Sequence, residues 1–71
     1  MSELKKYRQD KSLSQSQLAN LSGVSVRMIQ HYEQGQKDIN KANGETLYRL
    51  AYALGVPIEA IIDTDRIIIG G

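Results

Sequence analysis

Apolar residues in this chain recur at helical spacing, and small or polar residues interrupt them every eight to eleven positions. Leu4 and Tyr7 share a face behind Ser2, a capping residue, and Glu3, an acidic first-turn residue, so the pattern predicts a first helix over Glu3–Asp10. Ser14 with Gln17 three positions on has the spacing of a capping box, Leu13 can act as its staple, and Leu18, Ala19 and Leu21 form the stripe of a second helix that stops at Gly23. Ser25 caps a third helix from Val26 to about Gln34, with Ile29 and Tyr32 facing inward and Gly35 closing it. The polar stretch 35–40, with Lys37 and Asp38, reads as an exposed loop. Asn40 or Asn43 can cap the fourth helix. Asn40 is favoured because Ile39 precedes it as a staple, although Gly44 then lies inside the helix at about 1 kcal/mol relative to Ala. Leu47, Leu50, Ala51 and Leu54 are its buried stripe and Gly55 its terminator. A fifth helix has Pro57 in its first turn, runs through Ile58, Ile61 and Ile62 and ends near Asp63. The β-branched run Arg66–Ile67–Ile68–Ile69 reads as an extended segment or strand.

Composition narrows what such a set of short helices can be. At 71 residues the chain has room for one domain, and with no cysteine and one histidine it lacks both disulfides and a conventional zinc site, so regular helix packing must supply stability. A hydrophobic share of 41% with 24% charged residues separates it from disordered chains. No stretch approaches the roughly 18 apolar residues of a membrane span, and the start MSELKKYRQDK lacks the apolar core of a secretory signal, so the expected compartment is the cytoplasm with no membrane partner. The net charge of +1 is small but uneven: residues 1–49 carry eight Lys/Arg against five Asp/Glu, and residues 50–71 carry one against three. The basic side is N-terminal, consistent with an anion-binding surface there.

Helices two and three, joined by the short turn Gly23–Val24–Ser25, form a helix-turn-helix unit whose second helix can enter a DNA major groove. Ala19 must be small where the helices cross, Gly23 supplies a left-handed turn, and Ile29 supplies the contact between them. The series Gln15, Gln17–Leu18–Ala19, Gly23–Val24–Ser25, Ile29, Glu33 and Gly35, followed by Leu50–Ala51, Ala53–Leu54–Gly55–Val56, resembles the Cro and lambda-repressor (XRE-type) family over about residues 3–62. That resemblance implies an all-α fold, a five-helix lambda-repressor-like DNA-binding domain over residues 1–63 with its motif at about 15–34, and a short extended C-terminal tail at 64–71. With Ile29 and Tyr32 inward, the helical wheel leaves Val26, Arg27, Gln30 and His31 outward behind the cap Ser25. Arg27 can pair with guanine O6 and N7, Gln30 with adenine N6 and N7, Val26 with a thymine methyl, and His31 with a base edge or phosphate. Family resemblance assigns the sugar-phosphate backbone to Gln15 with Gln17 beside it, and to Gln36, Lys37, Asn40 and Lys41; the N-terminus of helix two adds free N–H groups suited to phosphate. Each assignment has a structural rival: Gln15 and Gln17 suit a capping box, Asn40 a cap, and the lysines a solvated surface. Glu33 resembles the family's acidic residue that pairs with a basic residue of helix one, here Arg8, which makes both structural. Tyr7, Tyr32, Tyr48 and Tyr52 read as core or interface residues.

These readings converge on a regulator that binds double-stranded DNA, a repressor of bacterial or phage kind. One such domain reads few base pairs, so a homodimer on half-sites about 34 Å apart is expected. By family resemblance its contact falls on helices four and five, at Tyr52, Val56, Pro57 and Ile58 near Ile61–Ile62. The tail 66–69 offers a second route by pairing with its symmetry mate, its alternatives being to fold back or to stay disordered. The rival function is a protein-interaction module, such as an antitoxin whose main contact is a toxin. No cofactor or metal is expected, and with no cysteine, an isolated histidine and no convergent carboxylates nothing looks catalytic.

Overall fold

A computed structural model describes residues 2–62. Helix five, expected to end near Asp63, ends at Ile61 because the backbone of Ile62 is already extended, whereas the tail over 66–69, and with it dimerisation through the tail, lies outside the described residues. Within them the chain forms five α-helices and no strand: α1 (Glu3–Asp10), α2 (Gln15–Ser22), α3 (Val26–Gln34), α4 (Gly44–Leu54) and α5 (Ile58–Ile61), with one 3-10 turn at Ile39–Lys41 between α3 and α4.

Side-chain caps fix where the helices begin. Ser2, Ser14 and Ser25 each sit in extended backbone and accept the N–H three residues ahead, from Lys5, Gln17 and Met28. At α2 the capping box is complete, because the Ser14 amide also donates to Gln17 Oε1 at 2.8 Å. Gly23, at φ 75°, ends α2 in the left-handed region, where a side chain would be strained. Its bare Cα also lets Arg49 of α4 close in, since a Cβ there would stand 2.8 Å from Arg49 Nη1.

Three expectations need correction. The cap of α4 is Asn43, whose Oδ1 accepts the Thr46 amide at 2.8 Å. Asn40 instead lies in the 3-10 turn, where its own amide donates to Asp38 Oδ1 at 3.0 Å, so Asp38 starts a separate turn before α4 can begin. Gly44 is thereby the first residue of α4 rather than an interior one. Ile39 packs against the core as part of that turn, so the stretch 35–40 is exposed only over its first half. Pro57 precedes α5 as its cap residue instead of entering it, with ψ at 157°, and α5 is a single turn.

Helix α4 is the hub: α2 and α5 pack on it, while α1 bridges α5 and α3, and α3 crosses α2. The core draws on every helix, with Leu4, Leu18, Ile29, Leu50, Leu54 and Ile61 nearly or fully withdrawn from water and Val24, Tyr32 and Ala51 closing around them. Tyr7 packs against this core from its edge. Tyr48 and Tyr52 are not core residues: they stand 59% and 75% exposed, one turn apart, with ring centroids 5.7 Å from each other. The consequence of the packing is that α3 is clamped by α1 and α2 on its inner side and keeps one face towards solvent.

Candidate nucleic-acid interface

The orientation of α3 is set by a polar brace as well as by Ile29 and Tyr32. Arg8 of α1 grips Glu33 of α3 with two bonds, Nε to Oε2 at 2.7 Å and Nη2 to Oε1 at 3.0 Å, and its Nη1 donates to the Leu13 carbonyl at 2.7 Å. The two side chains are 10% and 2% exposed, so the pair is withdrawn from water and bidentate, the geometry in which an ion pair is specific. Its hydrogen bond to Glu33 raises the Arg8 pKa further above its already basic value; burial opposes this and the Glu33 charge adds to it. The pairing expected from the sequence is therefore present, and it ties α3 to α1 and to the turn before α2.

On the solvent side the first two turns of α3 carry Val26, Arg27, Gln30 and His31. Arg27 is exposed, while Val26, Gln30 and His31 are half-buried. Ser25, at the head of the helix, is exposed but its hydroxyl accepts the Met28 amide at 3.1 Å, so it acts as the cap. Helix α2 brings its N-terminus beside this row, for Gln30 Nε2 donates to Gln15 Oε1 at 3.3 Å across the two helices. The Ser14 cap takes the Gln17 amide. The amides of Gln15 and Ser16 lie at the positive mouth of α2, where a phosphate oxygen suits them.

Beyond the C-terminus of α3, Gln36, Lys37 and Lys41 are exposed and Asn40 is half-buried. Lys37 and Lys41 both line a shallow cleft of about 240 Å³ next to the end of α3, together with Tyr32, Asp38 and Ala42. The structure thus brings together Gln15 with Gln30, and Lys37 with Lys41. Gln17 sits apart from that pairing: it is exposed and its carboxamide oxygen is held by the capping box.

One connection was not foreseen. Gln15 Nε2 donates to Glu33 Oε1 at 3.1 Å, so the buried Arg8–Glu33 pair continues through Gln15 to Gln30 on the solvent face. Residues 18 and 15 positions apart leave no periodic signal of such a chain in the sequence.

The family model described as helix-turn-helix matches residues 4–61, most of the chain and, but for Glu3, all of α1 to α5. The chain belongs to this family, the XRE-type helix-turn-helix proteins of Cro and lambda-repressor kind. It is a DNA-binding helix-turn-helix domain of the regulator class. Comparison with curated proteins and with solved structures returns no match. Among the described residues no helix is long and apolar enough to cross a membrane.

Proposed function

We propose that this protein is a sequence-specific transcriptional repressor of bacterial or phage kind, working in the cytoplasm by occupying a palindromic operator as a dimer and so blocking polymerase. The observation that carries this reading is the outer row of α3, with exposed Arg27 beside Gln30, to which the N-terminus of α2 is bonded through Gln15, and with Lys37 and Lys41 exposed just beyond the end of the helix. Arg27, Gln30, Val26 and His31 read base edges, while Gln15, Gln17, Ser25, Gln36, Lys37, Asn40 and Lys41 hold or border the sugar-phosphate backbone and set the register.

The two-fold contact falls at the α4–α5 corner. There Tyr52 and Pro57 are exposed and Val56 and Ile58 half-buried, while Ile61 is 1% exposed and belongs to the protein's own core. Selection of bound duplexes from a random pool by the purified chain, at near-physiological salt, tests the proposal. A palindrome with half-site centres about ten base pairs apart supports it, and the absence of any enriched sequence refutes it.

One observation favours a second reading, a module whose main contact is another protein, such as a toxin. Leu21 is 63% exposed and joins Tyr48 and Tyr52 along the seam of α2 and α4, around an opening of about 400 Å³ that Ser22, Glu45 and Arg49 also line. No residue of α3 lines it. Sequence-selective binding that Arg27→Ala abolishes decides for the DNA reader.

A further inference from the structure

Gln30 carries a chemical ambiguity that its neighbours remove. A carboxamide has an acceptor end and a donor end of nearly equal size, so a free glutamine can turn over and offer either end to a given atom. Adenine's major-groove edge takes a donor at N7 and an acceptor at N6 from one carboxamide, whereas guanine and thymine only accept there and cytosine only donates, so each is met by a glutamine turned one way or the other. A reader of adenine gains discrimination when its carboxamide is held one way round.

The holding group lies in the brace beneath the surface. Glu33 is fixed by the Arg8 guanidinium, and a carboxylate so paired only accepts. The Gln15 atom 3.1 Å from Glu33 Oε1 must then be the donor Nε2, which leaves Gln15 Oε1 to face Gln30. That oxygen only accepts, so Gln30 presents Nε2 to it, at 3.3 Å. One amide hydrogen of Gln30 is used in this way, and the second hydrogen and Oε1 are left as a donor and acceptor pair on the solvent face.

We propose that Gln15 is a specificity-positioning residue: by passing the polarity of the Arg8–Glu33 pair to Gln30, it fixes the carboxamide of Gln30 in the orientation that reads adenine. The proposal rests on the DNA-reading function above and goes beyond a phosphate contact by Gln15. Its signature is a change in which base is preferred at one position, which a merely structural or phosphate-holding residue does not produce.

The test measures binding of wild type, Gln15→Met, Gln30→Ala and the double variant to a selected duplex and to the three duplexes with the Gln30-contacted base pair changed. The contacted base pair is identified as the one whose preference Gln30→Ala removes. Wild type should prefer adenine there by about tenfold or more. Gln15→Met should flatten most of that preference, leave the preference at the Arg27-contacted position intact, and change base preference no further in the Gln30→Ala background. A uniform loss of affinity with all preferences kept overturns the proposal in favour of phosphate contact. A change of preference that persists without Gln30 overturns it too, because Gln15 would then read a base itself. If wild type selects no sequence at all, the DNA-reading function falls, and the proposal with it. A measurement needing no variant is the nuclear Overhauser contact between the Gln30 side-chain amide hydrogens and the Gln15 side chain in the free protein. Its presence is expected, and its absence overturns the proposal whether or not Gln15→Met folds.

Discussion

Replacing Arg8 by methionine should come close to unfolding this protein, and the brace it belongs to allows the size of the effect to be worked out. The substitution keeps the length of the side chain but strips Glu33, whose carboxylate is 2% exposed, of both guanidinium bonds, leaving only the neutral Gln15 amide. Removing one member of a buried pair costs about 3–5 kcal/mol, because the other charge stays buried and uncompensated. The Leu13 carbonyl loses its 2.7 Å partner as well, worth about 1 kcal/mol. For a domain of this size, whose total stability is roughly 4–11 kcal/mol, the sum is a large fraction of what holds it folded. The melting temperature should fall by about 15 °C or more, since 1 kcal/mol moves it by about 4–8 °C in a domain of this size. Thermal and urea unfolding followed by circular dichroism gives the number. The double variant Arg8→Met with Glu33→Leu should regain most of the loss, as an apolar pair of similar volume often replaces a buried ion pair without net cost. The reasoning is refuted if Arg8→Met costs less than about 1 kcal/mol, or if the double variant is no more stable than the single one. The pH dependence follows from the same residue. The folded-state pKa of Arg8 is raised, so its stabilisation is complete below the unfolded value and is lost only as pH rises through the folded one, in strong alkali. Unfolding measured across the neutral range should show no loss assignable to Arg8.

Four further outcomes follow from other parts of the fold. Asn43→Ala should destabilise by about 1 kcal/mol through loss of the α4 cap, measured by denaturant unfolding, and an effect near zero would remove Asn43 from that role. Gly23→Ala should cost about 1–2 kcal/mol for the left-handed backbone, and because the half-exposed Arg49 end group can swing aside from the new Cβ, adding Arg49→Ala should recover little of it. Arg27→Ala should cost about 1–3 kcal/mol in duplex binding and relax the preference at one base pair. Lys37→Ala should weaken all duplexes alike and lower the salt slope by about 1, both seen by titration at several salt concentrations.

The serine caps fixed where α1, α2 and α3 begin and the glycine stops where α2 and α3 end from sequence alone, because each cap bonds an amide only three positions away and each glycine stop needs a local backbone angle. The α4 cap misled for a physical reason. Asn40 has the apolar Ile39 before it as a staple, but Asp38 claims the Asn40 amide for a turn of its own and Asn43 takes the α4 cap. Tyr48 and Tyr52 fit a helical stripe as well as core residues do, and periodicity cannot tell which side of α4 receives a neighbour. The Arg8–Glu33 pair came from family resemblance, whereas its extension through Gln15 to Gln30 needed three helices in place before it could be seen.

The ratio of affinities for a selected duplex and a scrambled one of equal length, measured with wild-type protein at near-physiological salt, tests the central claim most directly. The account predicts a ratio of about a thousand or more in favour of the selected duplex, held while added salt weakens both. Equal affinities that vanish together as salt rises would leave only phosphate attraction and contradict base reading by α3.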